Sequence, residues 1–124
     1  DVRWVPGNFH SVAPKVLLRR PRVLCDNERA VLRLETSRGP LLLVMVGALN
    51  VARIRVVGVE PGVDGPPTSR GGGPPTFERG AELARFEMGS TIVLVSPAGG
   101  PGHLEGLAQE SPLRLGEPIG RYGA

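Results

Sequence analysis

Apolar and polar side chains alternate most clearly over residues 30–35. Ala30, Leu32 and Leu34 fall on one side there, and Val31, Arg33 and Glu35 on the other, which is the period of a half-buried β-strand. The next apolar stretch, Leu41-Leu42-Leu43-Val44-Met45-Val46, has no polar interruption and predicts a strand covered on both faces. Ser37-Arg38-Gly39-Pro40 between the two reads as a hairpin turn. Further strands are predicted over residues 51–59 and 91–95, each bounded by Gly or Pro, the second as a buried strand. Residues 79–87 would tolerate a helical turn, but as an extended strand they place Glu82, Ala84 and Phe86 on one face leading into Gly89. Thirty-one of the 124 residues are Gly or Pro, and because they gather in connectors they predict many short strands and turns rather than general disorder. Residues 61–76 are the exception: the Gly-Pro-Pro and Gly-Gly-Gly-Pro-Pro units predict a long, mobile, exposed loop. The expected fold class is all-β, with short antiparallel strands and one long Gly/Pro-rich loop.

A chain of 124 residues fits a single domain, and domains of this size hide about two-thirds of the surface their unfolded chains expose. No apolar stretch approaches the roughly 20 residues of a membrane span, and no secretory signal is visible at the start, so the chain is expected to be soluble or peripheral to a membrane. Asp1 in place of an initiator Met suggests a fragment or a processed chain. Cys25 is the sole cysteine, which excludes an internal disulfide or a cysteine metal cluster, and no metal site is expected.

The net charge of +3 rests on fourteen Arg and a single Lys, Lys15. Arg19, Arg20 and Arg22 lie beside Leu17 and Leu18, a set suited to anionic phospholipid headgroups at about 1 kcal/mol per basic side chain. A solvated Arg-rich loop accounts for the same residues more simply. Nucleic acid is not expected as a partner, because the five aromatics suggest neither a stacking platform nor a basic recognition helix.

Candidate chemistry centres on Met88-Gly89-Ser90-Thr91. Here a hydroxyl stands next to a Gly carbonyl at the entrance to an apolar strand. Glycine has no Cβ to block attack on its carbonyl and adopts backbone angles closed to other residues, so Gly89-Ser90 is a candidate self-cleavage site. Four segments precede it in order: Pro6-Gly7-Asn8-Phe9-His10-Ser11-Val12, Asn27-Glu28-Arg29, Val46-Gly47-Ala48-Leu49-Asn50-Val51-Ala52-Arg53-Ile54 and Arg79-Gly80-Ala81-Glu82-Leu83-Ala84-Arg85-Phe86. Together with the Gly-Ser-Thr they resemble the phosphatidylserine decarboxylase family, over about residues 5–120. Ala84 stands where that family usually has a second Gly, and His10 where it usually has an aromatic.

The resemblance implies a core like the hybrid barrel-sandwich folds. It also implies that Ser90 attacks the Gly89 carbonyl, converting the amide to an ester. Elimination then breaks the ester, and hydrolysis of the resulting dehydroalanine leaves a covalent pyruvoyl group at position 90. The chain would divide into residues 1–89, part of the β-chain of a precursor, and 90–124, part of its α-chain. The keto group would form a Schiff base with the amine of phosphatidylserine and accept the electrons left by departing carbon dioxide, giving phosphatidylethanolamine. Thr91 is expected to position the new terminus, and Met88 to lie on the substrate side. The implied setting is the cytoplasmic face of a bacterial membrane, peripherally bound, with a homodimer possible. An upstream Asp and His that activate the serine in self-cleaving members would precede Asp1, so the isolated chain is expected not to process itself. His10 is expected as a partly buried ring, His103 as an exposed loop residue, and Asp26 as a turn cap with Asn27.

Two other classes remain open. A biotinyl or lipoyl carrier needs its modified Lys at an exposed hairpin tip, and Lys15 in Ala13-Pro14-Lys15-Val16 is the one candidate. A noncatalytic interaction domain would leave the chain uncleaved.

Overall fold

The computed structural model describes residues 1–49, 53–67, 75–88, 91–100, 102–103 and 107–122. In chain order the elements are β1 (Val2–Val5), α1 (Pro14–Arg19), α2 (Val23–Asp26), β2 (Arg29–Thr36), β3 (Gly39–Val46), β4 (Ile54–Val56), β5 (Ala84–Phe86), β6 (Thr91–Val95), β7 (Gly102–His103) and β8 (Gly120–Arg121). Strands dominate, and every pairing between them is antiparallel. β1, β2, β3 and β6 form a four-stranded sheet in that order, while β4 with β5 and β7 with β8 form two-stranded ribbons. The all-β expectation holds, without closure into a barrel among the described residues.

The hairpin joining β2 to β3 turns through Ser37-Arg38, with Thr36 already paired to Gly39. Gly39 has φ +104°, a conformation that favours glycine, and the Thr36 hydroxyl donates to the Gly39 carbonyl at 2.7 Å. Register then aligns Val2 and Trp4 of β1, Ala30 and Leu32 of β2, and Leu43 and Met45 of β3 on one sheet face. Ile54 and Val56 of β4 close the core over that face, with Leu83, Ala84 and Phe86 packed at its margin. β5 is shorter than the extended segment predicted over 79–87, and Glu82 stands outside it, exposed.

Several expectations need correction. β3 is buried on both faces only at Met45 and Val46; Leu41 to Val44 are half-buried. β6, predicted as a buried strand, pairs only with β3 among the described residues and is an edge there: Ile92 is 53% exposed, and Leu94 and Val95 are also open. Ile92 and Leu94 continue the core face, but the three-residue strands of the covering ribbon pack over β1, β2 and β3 instead. A continuous apolar run carries no information about how many neighbours a strand will have. The loop predicted over 61–76 is tied down in its first part. Val2 and Gly65 exchange backbone hydrogen bonds at 3.0 Å each, and the Asp64 carboxylate accepts the Trp4 amide at 2.6 Å. Residues 68–74 of that loop, and 51–52 of the strand predicted over 51–59, lie outside the described residues.

Neither short helix was expected from the sequence. α1 begins on Pro14, whose missing N–H costs nothing in a first turn, and the Ala13 carbonyl accepts the Val16 and Leu17 amides. Six and four residues are too few for a 3.6-residue period to register. No helix among the described residues is long and apolar enough to cross a membrane.

Candidate active site

Asn27 is fully buried between α2 and β2, and its amide joins segments distant in sequence. Oδ1 accepts the His10 amide at 2.9 Å, while Nδ2 donates to the His10 carbonyl and to the Gly47 carbonyl, each at 2.8 Å. Backbone bonds reinforce the junction: the Asn8 amide donates to the Asp26 carbonyl, the Glu28 amide to the Asn8 carbonyl, and the Gly47 amide to the Glu28 carbonyl. Gly7 is required for this approach, since a Cβ there would lie closer than 3.0 Å to backbone atoms of Asp26, Asn27 and Glu28. The Pro-Gly segment, the Asn-Glu-Arg segment and the Val-Gly segment, separate along the chain, therefore meet at one buried amide.

That junction sits at the end of the sheet where the candidate strand begins. Val5 pairs with Arg29, Arg29 with Val46, and Val46 with Thr91. Thr91, half-buried at the start of β6, is thus anchored across from the residue preceding Gly47. On the other side of the candidate cleavage site, the Glu87 amide donates to the Arg53 carbonyl at 3.0 Å. The Glu87 carboxylate accepts Arg55 Nε at 2.8 Å and lies 3.5 Å from Arg53. The hydrogen bond from Arg55 holds the Glu87 carboxyl below the usual carboxylate range; partial burial opposes this, and the charges of Arg55 and Arg53 add to it. Gly89 and Ser90 themselves lie outside the described residues, but both flanks are fixed, at Glu87 and at Thr91. Met88, between Glu87 and that pair, is 60% exposed.

His10 is half-buried, as expected, and Arg20 donates to its Nδ1 at 3.2 Å. A guanidinium can only donate, so in this contact Nδ1 is the acceptor. Asp26 does not cap a turn with its side chain. Its carbonyl receives the Asn8 amide and its carboxylate lies 3.7 Å from Arg22, because the helix α2 occupies what reads as a turn. Lys15 lies within α1 rather than at a hairpin tip, which removes the geometry a carrier requires. The side chain of His103 is outside the described residues. The roles of Asn27 as a junction and of Arg53, Arg55 and Glu87 as a clamp were not legible in the sequence. The order of the segments containing them was the only available signal.

The model of the phosphatidylserine decarboxylase family matches residues 1–121. A phosphatidylserine decarboxylase proenzyme of Xanthomonas campestris pv. campestris is 42% identical over 122 residues, covering 94% of this chain and 43% of its own length. The proenzyme of Halorhodospira halophila is 41% identical over 122 residues, covering 96% of this chain and 42% of its own length. That of Hahella chejuensis is 36% identical over 125 residues, covering 98% and 42%. The chain thus spans less than half the length of these curated relatives. No solved structure matches it. With a family model that matches nearly its whole length, and with three of the segments that resemblance rests on gathered around Asn27, the chain belongs to the phosphatidylserine decarboxylase family.

Proposed function

We propose that the protein containing this chain decarboxylates phosphatidylserine to phosphatidylethanolamine, after self-cleavage between Gly89 and Ser90 into parts that meet at residues 89 and 90. The observation that carries this reading is the bracketing of that peptide by two fixed anchors, Glu87 on Arg53 and Arg55, and Thr91 on Val46. Anchors on either side of a scissile peptide supply part of the barrier lowering that positioning gives. Oγ attack moves the acyl group from nitrogen to oxygen. Loss of the Ser90 α-proton then expels the Gly89 carboxylate, and water replaces the nitrogen of the dehydroalanine as ammonia, leaving the ketone. A covalent pyruvoyl group at position 90 would supply the electron sink that amino-acid decarboxylation needs. Thr91 holds the new terminus through its pairing with Val46, and exposed Met88 lies on the side open to substrate. The lipid substrate requires a bilayer surface. Leu18, 86% exposed on α1, and the exposed Arg19, Arg20 and Arg22 beside it support peripheral contact of this face with a membrane.

The test is mass spectrometry of the full-length protein. Two chains are expected, one beginning with a pyruvoyl group at position 90, and Ser90→Ala should remain whole and release no carbon dioxide from phosphatidylserine. An uncleaved Ser90→Ala protein with full activity would refute the proposal.

A further inference from the structure

The pairing of β1 with β2 runs without a bulge to the first residue of the chain. Val2 stands opposite Leu32, and one step further Asp1 and Arg33 exchange backbone bonds: the Asp1 nitrogen donates to the Arg33 carbonyl at 3.1 Å and the Arg33 amide to the Asp1 carbonyl at 2.8 Å. β2 does not stop there. It continues through Leu34 and Glu35 to Thr36, paired on its other side with β3 as far as Gly39. In an antiparallel ladder every second residue turns both of its backbone groups to the same neighbour, so Glu35, two beyond Arg33, directs its N–H and carbonyl to the β1 side. Pro40, opposite Glu35 in β3, has no N–H to offer and fits that parity. Among the described residues no strand stands opposite Leu34, Glu35 and Thr36 on the β1 side.

A cavity of about 470 Å³ opens over the same stretch. It is lined by Val2, Leu32 and Leu34 of the sheet, and by Val56, Phe77 and Leu83 from outside it. Pro66 and Pro67, which follow the Gly65 bonded to Val2, line it as well. Neither proline can donate to a ladder, so backbone donors for a strand in this position come from β2.

We propose that β1 continues beyond Asp1 in the full-length protein. The three residues before Asp1 pair with Leu34, Glu35 and Thr36, and the one directly before Asp1, opposite Leu34, puts an apolar side chain into the cavity. Side chains alternate along a strand, and Val2 and Trp4 face the core, so the next position in that series is the one directly before Asp1. There it meets Leu34, Phe77 and Leu83, and burial of hydrocarbon against them stabilises the pairing. The residue two before Asp1 lies opposite Glu35 and takes up its open N–H and carbonyl. The occupant is a segment of the same polypeptide because Asp1 already holds its direction and register, so pairing needs no second molecule to be captured and oriented. Chain is available for it: the curated relatives are more than twice as long as the stretch they share with this one. The inference does not depend on the decarboxylase reading. Thr91 lies opposite Val46, at the other end of β3 from Gly39.

Disulfide trapping in the full-length protein tests the register, with Cys25→Ser so that this exposed thiol does not compete. Because Asp1 and Arg33 are a hydrogen-bonded pair, the next pair is a non-hydrogen-bonded one, with Cα atoms about 4.5 Å apart and within reach of a disulfide. A cysteine placed directly before Asp1 is expected to form an intramolecular disulfide with Leu34→Cys and none with Glu35→Cys, whose side chain is on the opposite face, as read by peptide mapping. Hydrogen exchange on the unaltered full-length protein needs no substitution. The Glu35 amide should exchange within about tenfold of the Arg33 amide, whereas on an open edge it would exchange about a thousandfold faster. A disulfide at Glu35→Cys in place of Leu34→Cys shifts the register by one and overturns the proposal. A protected Glu35 amide with no disulfide, or with one formed only between molecules, means that another segment or a second copy fills the edge, and overturns it too. So does a Glu35 amide that exchanges as an open edge.

Discussion

Removing the Asn27 side chain should damage the protein more than its small size suggests. Alanine at this position strips partners from three groups, the His10 amide, the His10 carbonyl and the Gly47 carbonyl, around a residue with no exposed surface. Leaving a buried polar group unpaired costs about 1–3 kcal/mol, and water entering the vacated space recovers part, so the expected loss is about 3–5 kcal/mol. For a protein of a few hundred residues, where each kcal/mol moves Tm by about 2–4 °C, the midpoint should fall by about 10 °C. Asn27→Asp is the sharper comparison. It keeps an acceptor for the His10 amide but turns a second acceptor toward two carbonyls, so at neutral pH it should be at least as harmful as alanine. Thermal unfolding of the full-length variants gives the midpoint, and electrophoresis over time follows self-cleavage, which should slow because Gly47 follows the strand residue that anchors Thr91. An Asn27→Ala protein that melts within about 2 °C of its parent would mean that these three bonds do not hold the junction, and would refute the reasoning.

Gly7→Ala should cost about 1–3 kcal/mol through displaced backbone at Asp26 to Glu28, whereas Gly102→Ala, with nothing among the described residues near its added methyl, should be neutral; equal midpoints for the two variants would count against the close approach. Glu87→Gln should slow self-cleavage by loosening the clamp on Arg53 and Arg55. Because Glu87 has its carboxyl held below the ordinary range in the folded state, its stabilising contribution is present above the unfolded carboxylate pKa and is lost as pH falls through the depressed folded value. The gap in Tm between parent and Glu87→Gln should therefore persist from neutral pH down to the usual carboxylate range and close only below it, and a gap unaffected by strong acid contradicts the assignment. Replacing Arg19, Arg20 and Arg22 by Ser should reduce co-sedimentation with anionic vesicles by about a hundredfold at low salt, with the difference shrinking at high salt; equal binding by both proteins returns these side chains to a solvated role.

Local patterns were legible where one strand's own side chains carry the information. Alternation over 30–35 identified β2 and its buried Ala30 and Leu32, and Ser37-Arg38-Gly39 gave the turn, because glycine's freedom at φ +104° is a local property. The start and end of β6 were read correctly from its apolar run and its Gly and Pro boundaries, and its exposure was not. β1 was missed although Val2 and Trp4 alternate with Arg3, since four residues beside a Pro-Gly turn give too short a period to stand out. The Pro/Gly composition of 61–67 describes a loop correctly in chemistry but says nothing of Asp64 and Gly65 closing on β1 from some sixty residues away.

The sequence by itself determined the strand-rich class, the hairpin, the candidate peptide at Gly89-Ser90 and, through the order of four separated segments, the family. Only the tertiary structure decided what those segments do together. It brought Pro6–His10, Asn27 and Gly47 onto one buried amide, placed Thr91 across from Val46, and set Arg53 and Arg55 on Glu87. The division has a physical cause. Turn geometry and side-chain alternation depend on neighbours within a few residues, whereas a buried hydrogen bond or ion pair depends on which distant backbone closes over it, and that is fixed by the register and stacking of whole strands.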